Sequence, residues 1–283
     1  MLNRALEGGY RLNAAKSNAA EGGIHVSVIT VVYNGEKYLE HTIQSVLSQT
    51  YKNIEYIVVD GGSSDGTLDI LRKYNSQIAY WKSEPDRGIS DAFNKGIKLA
   101  TGEVIGILNA DDWYESDAVT RIVAHYKPDS ILHGIIQYWD EKGSKDAQAR
   151  PNLNLLPREM SLNHPTVFIS KSLYQKYGTF DLRYKLSMDY HLLLRLYQAK
   201  VRFIFVDAVI TNMRPGGASA NIEECYREVL KVKDDVLGAS IRNRLYFYWM
   251  LIRYKTSCSL SDTPFSFIRR VYRTTISPIK RQY

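Results

Sequence analysis

Cysteine is nearly absent from this chain. Its 283 residues hold two, Cys225 and Cys258, with no CxxC pair. That excludes a cysteine-built zinc cluster and a disulfide framework, and it fits a reducing, cytoplasmic compartment. Long apolar runs are missing as well. No stretch reaches roughly 18 apolar residues, so no membrane-spanning helix is expected. The opening MLNRALEGGYRLNAAKSNAAEGGIH lacks the apolar centre of a secretory signal. Residues 1–24 read instead as a mobile arm with room for one short helix. Familiar glycine signatures are missing too: there is no GxxxxGKS/T loop and no GxGxxG after the first apolar run. Neither GxSxG nor HExxH occurs. Phosphate, if bound, must be held by a metal and scattered donors rather than by a glycine cradle.

Acid is scarce in one place only. From Gly238 to Tyr283 there are nine Lys or Arg and a single acid, Asp262, a net charge of +8. The whole chain carries +7, so the rest stands at −1: a near-neutral body with a basic end. Arg242, Arg244, Arg253 and Lys255 alternate there with Leu245, Phe247, Trp249 and Ile252. Basic and apolar groups interleaved in this way suit an anionic membrane surface. A helix packed on the body with a solvated basic face, or an oligomer contact, accounts for them equally well. Nucleic acid is not expected as a partner, because no nucleic-acid motif accompanies the charge. The oligomeric state is not legible.

What is present in quantity is apolar material, 45% of residues against 24% charged, enough for a sizeable core without staples. It is arranged as alternating strands and helices. VSVITVVY (26–33), IEYIVVD (54–60) and EVIGILN (103–109) are β-branched runs of strands buried on both faces. Helices are predicted over 36–49, 65–74 (with Ser64 or Asp65 as cap), 89–100 and 116–126, and a short strand over 78–82. In the second half, strands are predicted at 131–138, 165–169 and 201–206. Helices are predicted at 170–177, 187–199 and 223–237. The polar stretch 139–163 reads as loop, and RPGGAS (214–219) as a turn-rich loop. This alternation predicts a parallel α/β sheet with right-handed crossovers, in which ligands sit beyond the carboxyl ends of the strands.

Those ends carry the candidate chemistry. Asp60 closes a strand and enters GGSSDGT; its carboxylate can accept from a nucleobase or ribose, or simply build the turn. Asn109, Ala110, Asp111 and Asp112 close another strand. Two adjacent carboxylates suit a hard divalent cation, Mg²⁺ or Mn²⁺, whereas capping the next helix needs only one. Asp189 lies in SMDYHLLLRL at the first turn of an amphipathic helix. There an ionised carboxylate serves either as a general base or as a helix-dipole acid behind a Ser187 cap, and spacing alone favours the latter. His164, before Pro165, is either a structural loop residue, the commoner case for a lone His there, or a group near the acceptor or the metal.

Read in order, these pieces resemble family 2 glycosyltransferases. The matching blocks are VSVITVVYNGEKYLEHTIQSVLSQTYKNIEYIVVDGGSSDGT, SEPDRGISDAFNKGIKLATGEVIGILNADDW, HPTVFISKSLYQKYGTFD and SMDYHLLLRL. They span about 26–219, some two-thirds of the chain, and most resemble a bacterial branch that assembles O-antigen and other surface polysaccharides. The resemblance implies a GT-A fold: α/β, Rossmann-like, with a mostly parallel central sheet flanked by helices. It places a catalytic domain at 25–220 and leaves a helical, basic C-terminal extension at 221–283. It implies an inverting, metal-dependent transfer from a nucleotide-sugar, UDP fitting best, to a glycan or lipid-linked glycan acceptor.

By the same resemblance, Val32, Tyr33 and Asn34 hold the base and Asp60 reads it. Asp86, Arg87 and Asp91 line the nucleotide. Asn109 to Asp111 form the DxD-like motif, with Asp111 the metal ligand and Asp112 beside it. Asp189 becomes the general base, and 216–219 a loop over the donor. The chain departs from the commoner pattern at Val31, Gly61, Asn109 and Met188, which stand where many members have Pro, Asp, Asp and Glu. A non-catalytic nucleotide-sugar-binding scaffold on the same fold is the alternative.

Overall fold

The protein is described here by a computed structural model that defines residues 6–12, 22–215, 222–259 and 281–282. Three strands form its centre: β2 (Val26–Val32), β3 (Ile54–Asp60) and β5 (Val104–Asn109). β2 runs parallel to both others, and β4 (Tyr80–Ser83) lies parallel to β3 on the far side. The chain thus winds outward from β2 through β3 to β4, then returns to place β5 on the other side of β2. Strand order reverses between β2 and β5, and a crevice opens beyond their carboxyl ends. Register brings the ends together, with Val32 opposite Asp60 and Val31 opposite Asn109.

Residues of these strands alternate between two cores, as a period of two requires. Ile29 and Val31 face α3 (Ile89–Leu99) and α6 (Met188–Gln198), whereas Val28 and Val32 face α1 (Leu39–Leu47) and α2 (Thr67–Lys73). All seven residues of β2 are buried. Each large apolar side chain so enclosed contributes about 1.5–3 kcal/mol, and together they make the strand ends a rigid base for the loops above. Gly96 lets α3 lie against β2, since a Cβ there would come within 2.4 Å of Ile29 Cγ2.

The second half extends the sheet. β9 (Phe168–Ser170) pairs antiparallel with β5 and with β7 (Ser130–Trp139), and β10 (Arg202–Met213) runs parallel to β7. β6 (Trp113–Tyr114) joins β10. α4 (Ala118–His125) packs on β10 and β7, and α5 (Lys171–Tyr177) follows β9. α7 (Ile222–Leu237) lies against α6, with α8 (Ile241–Ser259) upon it.

Several sequence expectations are corrected. Within the arm expected to be mobile, β1 (Leu6–Gly8) pairs with β4, and Gly9 N–H donates to Asn75 Oδ1 at 2.7 Å. The stretch read as loop at 139–163 contains β8 (Lys145–Ala149), held by β7 on one side and by β11 (Arg281–Gln282) on the other. β11 also puts a strand into the extension expected to be helical. The strand expected to end at Val206 runs on to Met213 through register shifts after Phe205 and Val209. The N-cap of α2 is Gly66, with no side-chain cap; Asp65, the residue before it, accepts from the Thr67 N–H at 3.0 Å. Ser187 makes no side-chain cap. The loop 216–219 and Cys258's side chain lie outside the described residues. None of the helices described is long and apolar enough to cross a membrane.

Candidate active site

One cavity of about 910 Å³ lies at the reversal point. Its lining includes Val32 to Gly35 after β2, Asp86 and Gly88 before α3, Asn109 to Asp111 after β5, and Met188 and Asp189 at the start of α6. Segments far apart in sequence meet there because strands β2 and β5 end side by side.

The loops after β2 and β3 are fastened to each other. Asn34, at φ +51°, accepts from the Ser64 N–H at 2.9 Å, and its own N–H donates to Ser63 Oγ at 2.7 Å. Asparagine tolerates that left-handed backbone better than most residues. Gly35 N–H donates to Thr67 Oγ1, Glu36 N–H to Asp65, and Gly66 N–H back to Glu36. Tyr33 is left 67% exposed on the cavity wall, an aromatic face held on an anchored backbone.

Asp60 does not face this cavity. It is fully buried, and its carboxylate accepts from the Gly62 and Ser63 N–H groups at 3.2 and 3.1 Å and from the Ser83 hydroxyl at 2.6 Å. The Ser63 hydroxyl donates to its other oxygen. The family resemblance gave Asp60 a base contact, while its residue context left turn-building open; its geometry is that of a turn-builder. Asp86 reaches the cavity instead. Its Oδ2 lies 2.5 Å from where a Gly61 Cβ would stand, and Oδ1 accepts from the Gly88 N–H at 2.7 Å. Gly61 therefore leaves room for the Asp86 carboxylate in this position, and a side chain at 61 would make that carboxylate shift.

Arg87 and Asp91, also expected along the nucleotide, are not on the lining. Arg87 pairs with Asp91 at 3.2 Å, and Asp91 also faces Lys95 at 3.7 Å. Positions 87, 91 and 95 form one stripe of α3's turns, whereas Gly88, Ile89, Ala92 and Phe93 form the stripe that meets the cavity.

Asp111 lies on the lining, and burial raises its proton affinity. Asp112 is buried beside it. Its Oδ2 accepts from Asn109 Nδ2 at 3.1 Å, and its Oδ1 has no hydrogen-bond partner among the described residues. Burial first, then the neighbouring Asp111, pushes Asp112 up to about 8. Arg214, at the end of β10, opposes this: its charge and its backbone N–H stabilise the Asp112 anion. Its guanidinium is stacked between the rings of Tyr38 and Trp113, 4.6 and 4.5 Å from their centroids. Sequence reasoning missed Arg214, because nothing in RPGG foretells a partner on α1 and another on β6.

The donor set fits a divalent cation of one kind. Among the described residues no group of three or more His, Cys, Asp or Glu could cage a metal. Mg²⁺ and similar hard cations are commonly held by one or two carboxylates, with phosphate oxygens and water completing the shell. A cavity-facing Asp111 backed by Asp112 with an orphaned oxygen matches that use.

Across the cavity, Asp189 heads α6. Among the described residues it accepts a hydrogen bond from the Tyr190 N–H at 2.7 Å, and burial, assisted by Glu228 on α7, raises it to about 6. A carboxylate poised near neutrality and bordering a cavity can take a proton. His164 also borders the cavity, packed against Phe93 and Phe180; burial lowers it to about 4, so it is neutral at physiological pH. The lining at Lys185, Leu186 and Met213 had no signal in the sequence.

Comparison with known proteins gives the family and the fold. The family described as glycosyl transferase family 2 matches residues 27–191. Solved structures of similar fold include S. aureus TarS 1-349 in complex with UDP-GlcNAc. It matches at TM-score 0.59 and 20% identity, covering 90% of this chain and 77% of that one. The mannosyltransferase PcManGT from Pyrobaculum calidifontis, in complex with GDP-Man and Mn²⁺, matches at TM-score 0.60 and 17% identity, covering 93% and 85%. At such identities the likeness establishes the fold, which is GT-A. The chain belongs to glycosyltransferase family 2. Among its relatives is an uncharacterised glycosyltransferase of Rickettsia typhi, 35% identical over 181 residues, or 59% of this chain and 57% of that protein. Another, from Mycobacterium tuberculosis H37Rv, is 33% identical over 180 residues, or 60% and 68%. The match thus spans a little over half of the Rickettsia protein's length.

Proposed function

We propose that this chain is an inverting, metal-dependent glycosyltransferase. In this reading it moves a sugar from a nucleoside-diphosphate sugar, UDP-linked by preference, to a hydroxyl of a growing lipid-linked bacterial surface glycan of the O-antigen kind. The observation that carries the reading is the single cavity bordered by Tyr33, Asp111 and Asp189. It offers a platform, an acid for a cation and a base in one space. The UDP-GlcNAc bound by TarS supports the donor class, and the Mn²⁺ bound by PcManGT supports the cation.

The donor's base and ribose lie along Val32, Tyr33 and Asn34, with Asp86 offering an acceptor to hydroxyl or N–H groups. Asp60 contributes by holding the GGSS turn in shape. The diphosphate lies toward Asn109, Ala110 and Asp111. Bound at Asp111, Mn²⁺ or Mg²⁺ supplies Lewis-acid neutralisation of the departing diphosphate. Asp189 takes the proton from the acceptor hydroxyl as that oxygen bonds to the anomeric carbon. The bond from that carbon to the diphosphate oxygen breaks in the same step. One displacement inverts the anomeric configuration, and the nucleoside diphosphate leaves.

The lipid-linked acceptor rests on α8. Ile241, Leu245, Tyr248 and Ile252 recur at helical spacing and are 59–69% exposed, with Arg242 and Arg244 exposed beside them. That combination suits an anionic bilayer surface. Sedimentation with anionic vesicles checks it, and equal pelleting of a Leu245→Glu/Ile252→Glu variant removes it.

The donor site is tested by a thermal-shift panel of UDP, dTDP, GDP and CDP with and without Mn²⁺. A ligand at 100 times its Kd stabilises by about 2.7 kcal/mol. The expected result is Mn²⁺-dependent stabilisation by UDP that Asp111→Ala removes. No shift with any nucleotide would overturn the reading and the nucleotide-sugar-binding scaffold alike, whereas a UDP shift with no sugar transfer would leave the scaffold.

A further inference from the structure

Asp189 stands on α6, and three of the hydrogen bonds that hold the turn before α6 go to a residue outside the family-matched segment. Residues 185–187 form the turn that precedes the helix, and the N–H groups there have no partner within the helix itself. All three donate to one carboxylate, Glu228 on α7: Lys185 to Oε1 at 3.0 Å, Leu186 and Ser187 to Oε2 at 2.8 Å each. The same segment is tied to α7 at further points. Ser187 Oγ donates to the Cys225 carbonyl at 3.4 Å, the Tyr184 hydroxyl donates to Asp235, and Arg183 lies 3.4 Å from Asp235. On its other side, Ser90 Oγ at the first turn of α3 donates to the Tyr184 carbonyl at 3.0 Å. The turn is therefore clamped between a wall of the cavity and α7.

We infer that Glu228 is the positioning residue of this site: by gathering the N–H groups of Lys185, Leu186 and Ser187 it fixes the turn that aims Asp189 at the cavity. This rests on the reading of Asp189 as the base and deepens it. α7 then completes the active site, although it lies beyond the matched residues 27–191. Met188, the residue before Asp189, carries no charge, and the acid that acts on Asp189 comes from a different element, α7. A carboxylate beside a carboxylate favours the protonated form, and the sign agrees: Glu228 raises Asp189. Among the described residues, the other titratable or charged groups near Asp189 are Cys225 on α7 and Lys185 in the turn, with Asp86, Asp111, His164, Tyr33 and Tyr38 elsewhere on the lining.

The test uses the full chain and needs no substrate. Amide hydrogen exchange of residues 185–187 is followed in wild type, Glu228→Gln, Glu228→Asp and Glu228→Ala. The Asp189 carboxyl is titrated by carbon NMR, its signal assigned by loss in Asp189→Asn. Expected is exchange at least about tenfold faster in Glu228→Ala and Glu228→Asp, whose reach is too short. The Asp189 midpoint should fall in Glu228→Gln, which removes the charge, and stay near wild type in Glu228→Asp, which keeps it. Wild-type exchange in Glu228→Asp and Glu228→Ala together, or an unmoved midpoint in Glu228→Gln, would overturn the inference alone. A wild-type Asp189 that titrates near an ordinary carboxylate value would instead overturn the reading of Asp189 as base. Should Glu228→Ala fail to fold, the Gln and Asp variants carry both readouts.

Discussion

The two sides of the cavity use their carboxylates in opposite ways. On the β2–β3 side, Asp60 and Asp65 are spent on the backbone: Asp60 accepts from Gly62, Ser63 and Ser83, and Asp65 from Glu36 and Thr67. On the α6 side, Asp189 accepts, among the described residues, from the Tyr190 N–H and is raised to about 6. The first arrangement makes a rigid surface from loops that would otherwise be mobile. The second leaves a proton acceptor in hand, and the stiffness it needs is supplied by Glu228 instead. A carboxylate saturated by N–H donors builds, and one left short of donors is free to react.

The largest expected effect sharpens this contrast. Asp189→Asn should lower transfer by about 10²–10⁴-fold while leaving nucleotide stabilisation intact, and transfer at the wild-type rate would remove Asp189 from the mechanism. The base acts ionised. Wild-type transfer should therefore rise about tenfold per pH unit below about 6 and level off above it.

Asp60→Ala could break the contrast. It strands two N–H groups and a buried hydroxyl, at about 1–3 kcal/mol each, so Tm should fall by about 6 °C or more together with nucleotide affinity. Lost affinity at an unchanged Tm would make Asp60 a direct reader of the base, as the family resemblance implies.

Arg214→Ala removes a cation held between two rings and close to the acid pair. UDP affinity measured by calorimetry should fall about tenfold, in line with cation–π and charge contributions of about 1–2 kcal/mol. Equal affinity would show that Arg214 serves packing alone. The smallest effect belongs to Arg87→Ala. Its pair with Asp91 is exposed and off the lining, so stability should stay within about 0.5 kcal/mol and UDP affinity within about twofold.

Much of the frame was legible. VSVITVV, IEYIVVD and VIGILN are continuous β-branched runs, and such runs are at home only where a sheet is covered on both faces. The polar residues at their ends stand where ligand crevices open in open α/β sheets. KDAQA was not legible: an alternating polar stretch becomes β8 only because β7 and β11 offer hydrogen bonds to it. The extra length of β10 likewise comes from pairing with β7 and β6. Arg87 and Asp91 were assigned to the nucleotide by motif, although their i, i+4 spacing with Lys95 already set them on a stripe apart from Ala92 and Phe93.

By itself, the sequence determined the α/β alternation, the polar strand ends and the family, because patterning and local motifs are properties of consecutive residues. Only the tertiary structure decided which acids face the cavity. Asp60 turned inward because Ser83, twenty-three residues on, sits on the adjacent strand; Asp86 took the space that Gly61 leaves open. Asp189 is aimed by Glu228, thirty-nine residues away on another helix. Solvation, hydrogen-bond saturation and charge proximity depend on neighbours in space, and those exist only once the chain has folded.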